Sequence, residues 1–435
     1  MYIKNLSIEN LRCFNKAELE FTYSGRKQDE PFKDIVEWPP THRNVNVILG
    51  INGVGKSTVL NAIALAILSS VISSSGYNPY LLVRRTKGKR TGNRTELRAE
   101  LLLHEQDVTE PGYSLKQFLS TETEIFRRGD HEQIKGKDED NPVWEGMFDD
   151  RSPAFLMVGY SATRRVEPTT SASLTAARKQ RQLRYQRVAS LFEDHFALTP
   201  LTHWLPELES ENPGRYKQVI NLINRLLPQG TSFLAQLQGG EYIFKHGGAE
   251  LPFGALSDGF RAYIGWIGDL LYHICMGCPS GVKLVANRGI VLVDEIDLHI
   301  HPEWQLTLIP RLARTLRNIQ FIFTTHSPIV VGTLERANIY HLRTRGTQTL
   351  VERPDFDTYG LTAEQILRSD VFGLETTRVA GFVKVLRALQ SSASSGDSES
   401  AKELMRKVAR GRSASIPEDE IPDWVKRKKK AQAGS

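Results

Sequence analysis

The residues best suited to chemistry in this 435-residue chain stand in one run, Gly50-Ile51-Asn52-Gly53-Val54-Gly55-Lys56-Ser57, followed by Thr58. The spacing is G-x-x-x-x-G-K-S. Glycines at these positions let successive backbone N–H groups point inward, and a helix starting at the end of the run adds favourable potential for an anion. Such a turn cradles a polyphosphate. Lys56 is expected to reach the β- and γ-phosphates of ATP, and the Ser57 hydroxyl to hold Mg2+. Gly50, Asn52, Gly53, Gly55 and Thr58 complete the expected binding turn.

A second centre lies far downstream. The apolar run from Gly289 to Val293 ends in Asp294 and Glu295. A strand of this kind puts two carboxylates at its C-terminal edge, where open α/β sheets bind ligands. Asp294 is the natural Mg2+ partner of Ser57, and Glu295 can polarise an attacking water. Between the two centres stands Leu256-Ser257-Asp258-Gly259-Phe260-Arg261. It offers a hydroxyl and a glycine amide at a helix start. Alone, that is also what an ordinary helix N-cap looks like. Last comes FIFTTHSP, with His326 at the end of an apolar strand.

The order of these four motifs resembles the ABC-type ATPases of the RecF, SMC and OLD kind, with Leu256–Arg261 as a degenerate form of their LSGGQ signature. The stretch DEIDLHIHPEWQ is similar to the DE-x-x-x-H-L-H-P pattern of bacterial OLD-like ATPases often labelled AAA. The resemblance covers roughly residues 1–380. It implies that His326 contacts the γ-phosphate and works with Glu295 and Lys56 in hydrolysis. It also implies that Ser257 and Gly259 of one copy cover the nucleotide held by another. The chain is therefore expected to form a head-to-tail homodimer or a higher homo-oligomer. His299 and His301 become residues of a dimer face; two histidines at i, i+2 could otherwise mimic a metal site. Tyr160-Ser-Ala-Thr-Arg164-Arg165 resembles the Tyr-Gly-x-x-Arg segment near the family's Q-loop, although no Q-loop glutamine can be named. Similar ATPases serve bacterial anti-phage systems such as Septu and PARIS, in which a separate nuclease is the effector. The alternative is a RecF-like DNA repair ATPase. OLD nucleases carry a further Toprim domain, but Asp355-Phe356-Asp357 follows Pro354 without an apolar strand and reads as a loop.

The elements that must position these groups are legible as patterns. Alternating apolar residues from Tyr2 to Phe21 predict two or three short strands. A compact apolar strand leads into Gly50, and a long apolar helix follows Ser57. Strand-like runs recur at 96–105, 155–160, 289–294 and 319–324, with a final pair around 339–353. HWLPELES and RYKQVINLINRLL read as amphipathic helices, and GGEYIFKHGGAELPF as a glycine-punctuated hairpin. The expected fold is α/β: a P-loop NTPase of ABC-ATPase type with a mixed central sheet, flanking helices, an N-terminal antiparallel β subdomain and a compact helical insertion. The expected divisions are an N-terminal lobe over 1–165, a mainly helical insertion over 166–255, a C-terminal lobe over 256–385 and a flexible basic tail over 386–435. About 90 residues between the lobes are too few for an SMC-type coiled-coil arm.

Composition narrows the rest. No uninterrupted apolar stretch reaches the length of a membrane span, and the N-terminus lacks a signal-peptide core. Three cysteines, Cys13, Cys275 and Cys278, fit a reducing cytoplasm better than a disulfide framework. Cys275 and Cys278 form a C-x-x-C, but no second ligand pair lies nearby, so they read as packing rather than as a redox or metal site. The net charge of +6 owes +4 to residues 421–435, which hold Lys426, Arg427, Lys428, Lys429 and Lys430 against Asp423. A second basic segment holds Arg84, Arg85, Lys87, Lys89, Arg90, Arg94 and Arg98 against Glu96. Either could contact nucleic-acid phosphates, and either could be plain solvated surface.

Overall fold

The computed structural model describes residues 1–27, 32, 38–85, 93–107, 118–137, 145–150, 152–164, 182–193 and 196–409. The chain divides into two compact units, Met1–Gly373 and Leu374–Ser435.

The first unit begins with β1 (Tyr2–Leu11), β2 (Phe14–Glu20) and β3 (Val45–Leu49). Helix α1 (Lys56–Ser74) follows, then β4 (Arg94–Leu102), β5 (Phe118–Arg128), β6 (His131–Gly136) and β7 (Met157–Tyr160). Helices over Leu183–Val188, Leu201–Glu211 and Pro213–Leu226 precede β8 (Thr231–Gln238), β9 (Glu241–His246) and β10 (Ala249–Pro252). Helix α2 (Asp258–Met276), β11 (Gly289–Val293), α3 (Pro302–Thr315), β12 (Ile319–Thr324), β13 (Ile339–Arg345) and β14 (Gln348–Glu352) complete the architecture.

The central sheet has the order β14-β13-β3-β12-β11-β7. Its strands run parallel except for β14, which pairs antiparallel to β13. Strands β3, β11 and β12 are buried along their whole length, as expected of a sheet covered on both faces. The period-2 geometry of a strand sends alternate side chains to two cores. Val45, Val47, Val291, Val293, Phe321 and Phe323 face one core with the helices over 201–226 and α2. Ile48, Ile290, Leu292 and Ile322 face the other with α1 and the N-terminal strands.

That second core explains α1. The helix lies between the central sheet and an antiparallel sheet of order β2-β1-β4-β5-β6. Burial on nearly every side is why it is apolar all round rather than striped. By length and composition it could cross a membrane, but 78% of its apolar window is buried inside the protein. Gln320 ties the two sheets together: its side chain accepts from Ile3 N (2.8 Å) and donates to Ile3 O (2.8 Å).

The segment expected to be a mainly helical insertion is mixed. Its helices end at Leu226, and β10-β9-β8 form a three-stranded antiparallel sheet joined by Gly-Gly turns at 239–240 and 247–248. In the second unit, helices over Ala380–Ser394 and Ser398–Ala409 stand where an irregular tail is expected from the serine-rich composition. Apolar residues such as Phe382, Val385, Leu386 and Leu389 recur at helical spacing there. The basic run Lys426–Lys430 lies outside the described residues.

Candidate nucleotide site

Strand register brings the motifs to one edge. Thr324 of β12 pairs with Ile48 of β3, Val293 of β11 pairs with Phe323, and Tyr160 of β7 pairs with Val293. The chain therefore leaves these parallel strands at one end of the sheet, at Gly50, His326, Asp294 and Ser161. This is the ligand-binding edge of an open α/β sheet.

The turn after β3 is held from behind. Gly55 lies in the left-handed region at φ +106°, and a Cβ there would overlap Cys13 Sγ and press on the Phe14 ring. Only glycine suits both constraints. Val54 O accepts from Thr349 Oγ1 (2.9 Å) and from the Cys13 thiol (3.3 Å). The outer rim is open, with Ile51, Asn52 and Gly53 exposed. Lys56 is buried and folds back to donate to Gly50 O (3.0 Å) and Ile51 O (3.2 Å). Burial lowers its pKa from the ordinary lysine value, against the pull of Asp294, Glu295 and Asp297. Thr58 is buried one residue beyond the exposed Ser57.

Ser57 and the carboxylates form one hydrogen-bonded run. Ser57 Oγ donates to Asp294 Oδ2 at 2.6 Å. Thr324 Oγ1 donates to Asp294 Oδ1 and accepts the Glu295 N–H at 2.7 Å. Thr325 Oγ1 donates to Asp297 Oδ1. Thr324 escapes a motif-based reading; its one signal is a pair of threonines closing an otherwise apolar strand. A hydroxyl and a carboxylate side by side are hard oxygen donors, which fits Mg2+ that takes its other ligands from water and phosphate. Among the described residues no cluster of three His, Cys, Asp or Glu groups could hold a metal alone. His301 accepts from Glu303 N (3.4 Å) at the start of α3.

His326 follows β12 beside this run. Its Nε2 is buried and makes no hydrogen bond. Burial, then the positive charge of Lys56, lowers its pKa from the ordinary histidine value. The ring has a buried nitrogen in need of a polar partner.

Ser257 and Gly259 differ in kind. Ser257 sits at the N-cap of α2, yet its side chain makes no capping hydrogen bond, and it is exposed together with Asp258. Gly259 packs against the loop after β11, where a Cβ would overlap the His299 carbonyl oxygen. Gly259 therefore has a packing reason of its own within this chain.

Three described residues of the basic segment after α1 make contacts within the chain. Arg84 is buried and donates to Cys13 O and Thr347 O (both 2.6 Å). Arg94 pairs with Glu96 and Glu124, and Arg98 with Glu96 and Glu122. Lys87, Lys89 and Arg90 lie outside the described residues. Cys275 and Cys278 are free, buried and part of a hydrophobic core, and burial raises both thiol pKa values. Such thiols are packing elements.

Fold and motif order together have the arrangement of a P-loop nucleotide-binding domain. A solved SMC head bound to the C-winged helix domain of ScpA shares the fold at 13% identity, with a TM-score of 0.50 over 81% of this chain and 98% of that one. The chain belongs to the family described as "AAA domain, putative AbiEii toxin, Type IV TA system", whose model matches residues 45–332. It is 36% identical over 154 residues to the Retron Ec83 probable ATPase of Escherichia coli, covering 35% of this chain and 28% of that protein. It is 24% identical over 387 residues to the Septu protein PtuA of Bacillus mycoides, covering 86% of this chain and 45% of that protein. The chain thus spans less than half the length of either relative.

Proposed function

We propose that this chain binds Mg·ATP and hydrolyses it between two copies arranged head to tail. The observation that carries the reading is the hydrogen-bonded run of Ser57, Asp294, Thr324 and Glu295 beside Lys56. Magnesium, when bound, supplies charge neutralisation and orientation at the phosphates. Ser57 and Asp294 would hold it. Lys56 exchanges two loop carbonyls for phosphate oxygens, and the Gly50–Thr58 turn supplies its backbone N–H groups. His326 meets the γ-phosphate through its unpartnered ring nitrogen. Glu295 orients the attacking water and takes up its proton. Ser257 and Gly259 of the second copy cover the same phosphate, a role supported by the exposure of both Ile51–Gly53 and Ser257 in a single chain. Loss of that bridging group on hydrolysis opens the pair, which gives two states for a partner to distinguish.

The relatives named for Septu and retron systems support a place in anti-phage defence, and we propose a separate nuclease as the effector. A RecF-like repair role is the alternative; of the basic segment, Arg84 is buried and committed to backbone carbonyls of this chain, whereas Arg94 and Arg98 are exposed in surface ion pairs.

The test is Glu295→Gln. General-base catalysis is worth about a hundredfold or more, so this variant is expected to bind ATP normally, turn over at least about a hundredfold more slowly, and elute as an ATP-dependent dimer. Undiminished turnover would remove Glu295 from the chemistry, and a variant that stays monomeric with ATP would remove the two-copy site. Co-purification with a nuclease encoded by a neighbouring gene is the expected outcome for defence. Salt-sensitive DNA binding by the isolated protein without such a complex would favour repair.

A further inference from the structure

The loop that leaves β7 runs beside the end of β11, and one of its side chains reaches across. The loop is anchored at its root: Tyr160 O accepts from Asp294 N (2.8 Å), and the Tyr160 hydroxyl donates to the buried Asp269 carboxylate of α2 (2.7 Å). It then turns tightly, with Arg164 N donating to Ala162 O (3.0 Å). From this base the Arg164 guanidinium donates through Nη1 to Asp294 O and through Nη2 to Glu295 O (2.8 Å). Nη1 also donates to Ser161 O of its own loop (3.2 Å).

The backbone it grips is unusual. Glu295 has φ +46°, in the left-handed region that residues with a Cβ seldom adopt. Such a conformation persists only where the surroundings over-determine it. Here the Glu295 N–H is held by Thr324 Oγ1, and its carbonyl accepts from both Leu298 N (3.0 Å) and Arg164. Burial brings the Arg164 pKa down to about 10, with Asp294, Asp297 and Glu295 opposing the fall, so it stays cationic at neutral pH.

We infer that Arg164 is a positioning residue for hydrolysis: by bridging the Asp294 and Glu295 carbonyls, it fixes the direction in which the Glu295 carboxylate leaves the backbone. The inference rests on the reading of Glu295 as the water-activating group. A planar guanidinium spans two adjacent carbonyls, whereas a lysine ammonium on a flexible stem offers no such fork. Arg164 also lines a groove of about 740 Å3 beside the start of α2, with Asp258, Arg261 and His299. The clamp therefore joins the edge that binds nucleotide to the region expected to meet a second copy.

The experiment measures ATP turnover and ATP affinity for the full chain and for Arg164→Lys, Arg164→Ala, Glu295→Gln and the double variant R164K/E295Q. Small misplacements of a catalytic group cost up to about a hundredfold. Arg164→Lys is expected to melt at the wild-type temperature, bind ATP with wild-type affinity and hydrolyse it at least about tenfold more slowly. Arg164→Ala should match or exceed that loss. In the Glu295→Gln background the lysine should cost nothing further, since two residues acting as a unit are not additive. Wild-type turnover in Arg164→Lys overturns the inference. So does an equal loss in both backgrounds, or a loss of affinity that parallels the loss of turnover. Wild-type turnover in Glu295→Gln alone instead overturns the reading of Glu295 on which the inference stands.

Discussion

Two regions supply the polar groups expected around the γ-phosphate, and they are built in opposite ways. At the end of the central sheet four groups are tied to their own chain by hydrogen bonds: Lys56 to the Gly50 and Ile51 carbonyls, Ser57 to Asp294, Asp294 to Thr324, and the Glu295 backbone to Thr324 and Arg164, while His326 Nε2 is buried without one. At the start of α2 the glycine is tied to its own chain and the serine is not. Gly259 abuts His299 O, while Ser257 is exposed and leaves the helix uncapped. The difference separates preorganisation from presentation. The sheet edge is arranged before any ligand arrives, which lowers the reorganisation needed at reaction. The helix start gains a polar partner only from outside the chain.

The sharpest way to break that comparison is at Lys56. Hydrogen bonds to charged groups contribute about 1.5–3 kcal/mol each, and the ammonium is expected to make two with phosphate. Lys56→Ala should weaken ATP binding by about a hundredfold or more, since about 1.4 kcal/mol is tenfold. Calorimetry on the purified variant checks this. Retained wild-type affinity would mean that the turn after β3 is not where nucleotide is held.

The two regions were also unequally legible. The sheet edge follows from sequence because its strands are largely apolar runs that lead into Gly50, Asp294 and His326; local pattern and order suffice. The Gly-Gly turns of β8–β10 are readable for the same reason, being local. What sequence could not give depends on register between distant segments. Thr324 bridges Asp294 and Glu295 only because β12 lies beside β11 in one particular alignment. Arg98 is exposed as its type suggests, but its ion pair with Glu122 exists only because β4 sets it directly opposite that residue of β5. Glu96 and Glu124 face each other across the same pair, and Arg94 and Lys137 offset their repulsion. The helices after Gly373 were hidden by composition, since serine-rich sequence reads as tail even when apolar spacing is helical.

A second variant sharpens the helix side of the comparison. Gly259→Val places two methyl groups on a Cβ that already overlaps His299 O. The carbonyl belongs to backbone and cannot swing aside, so the loop after β11 must shift. Overpacking of this kind costs about 1–3 kcal/mol. Thermal unfolding should therefore fall by a few degrees, an effect that requires no partner copy. If stability is unchanged and only hydrolysis falls, Gly259 serves the second copy's phosphate and not its own loop.

The smallest effect is the most discriminating, and it belongs to Ser257. An N-cap serine that accepts a helix N–H stabilises its protein by about 0.5–2 kcal/mol. Here the hydroxyl makes no such bond, so Ser257→Ala should leave the melting temperature where it is. ATP affinity measured at concentrations too low for pairing should also be unchanged, because the sheet edge of each chain is intact. Turnover at high protein concentration should fall by about tenfold, the worth of one hydrogen bond of about 1.4 kcal/mol to a charged phosphate. The protein concentration giving half-maximal turnover should rise with it. A Ser257→Ala variant that melts early but hydrolyses normally would return Ser257 to the role of a helix cap, and the contrast between the two regions would then be one of exposure alone.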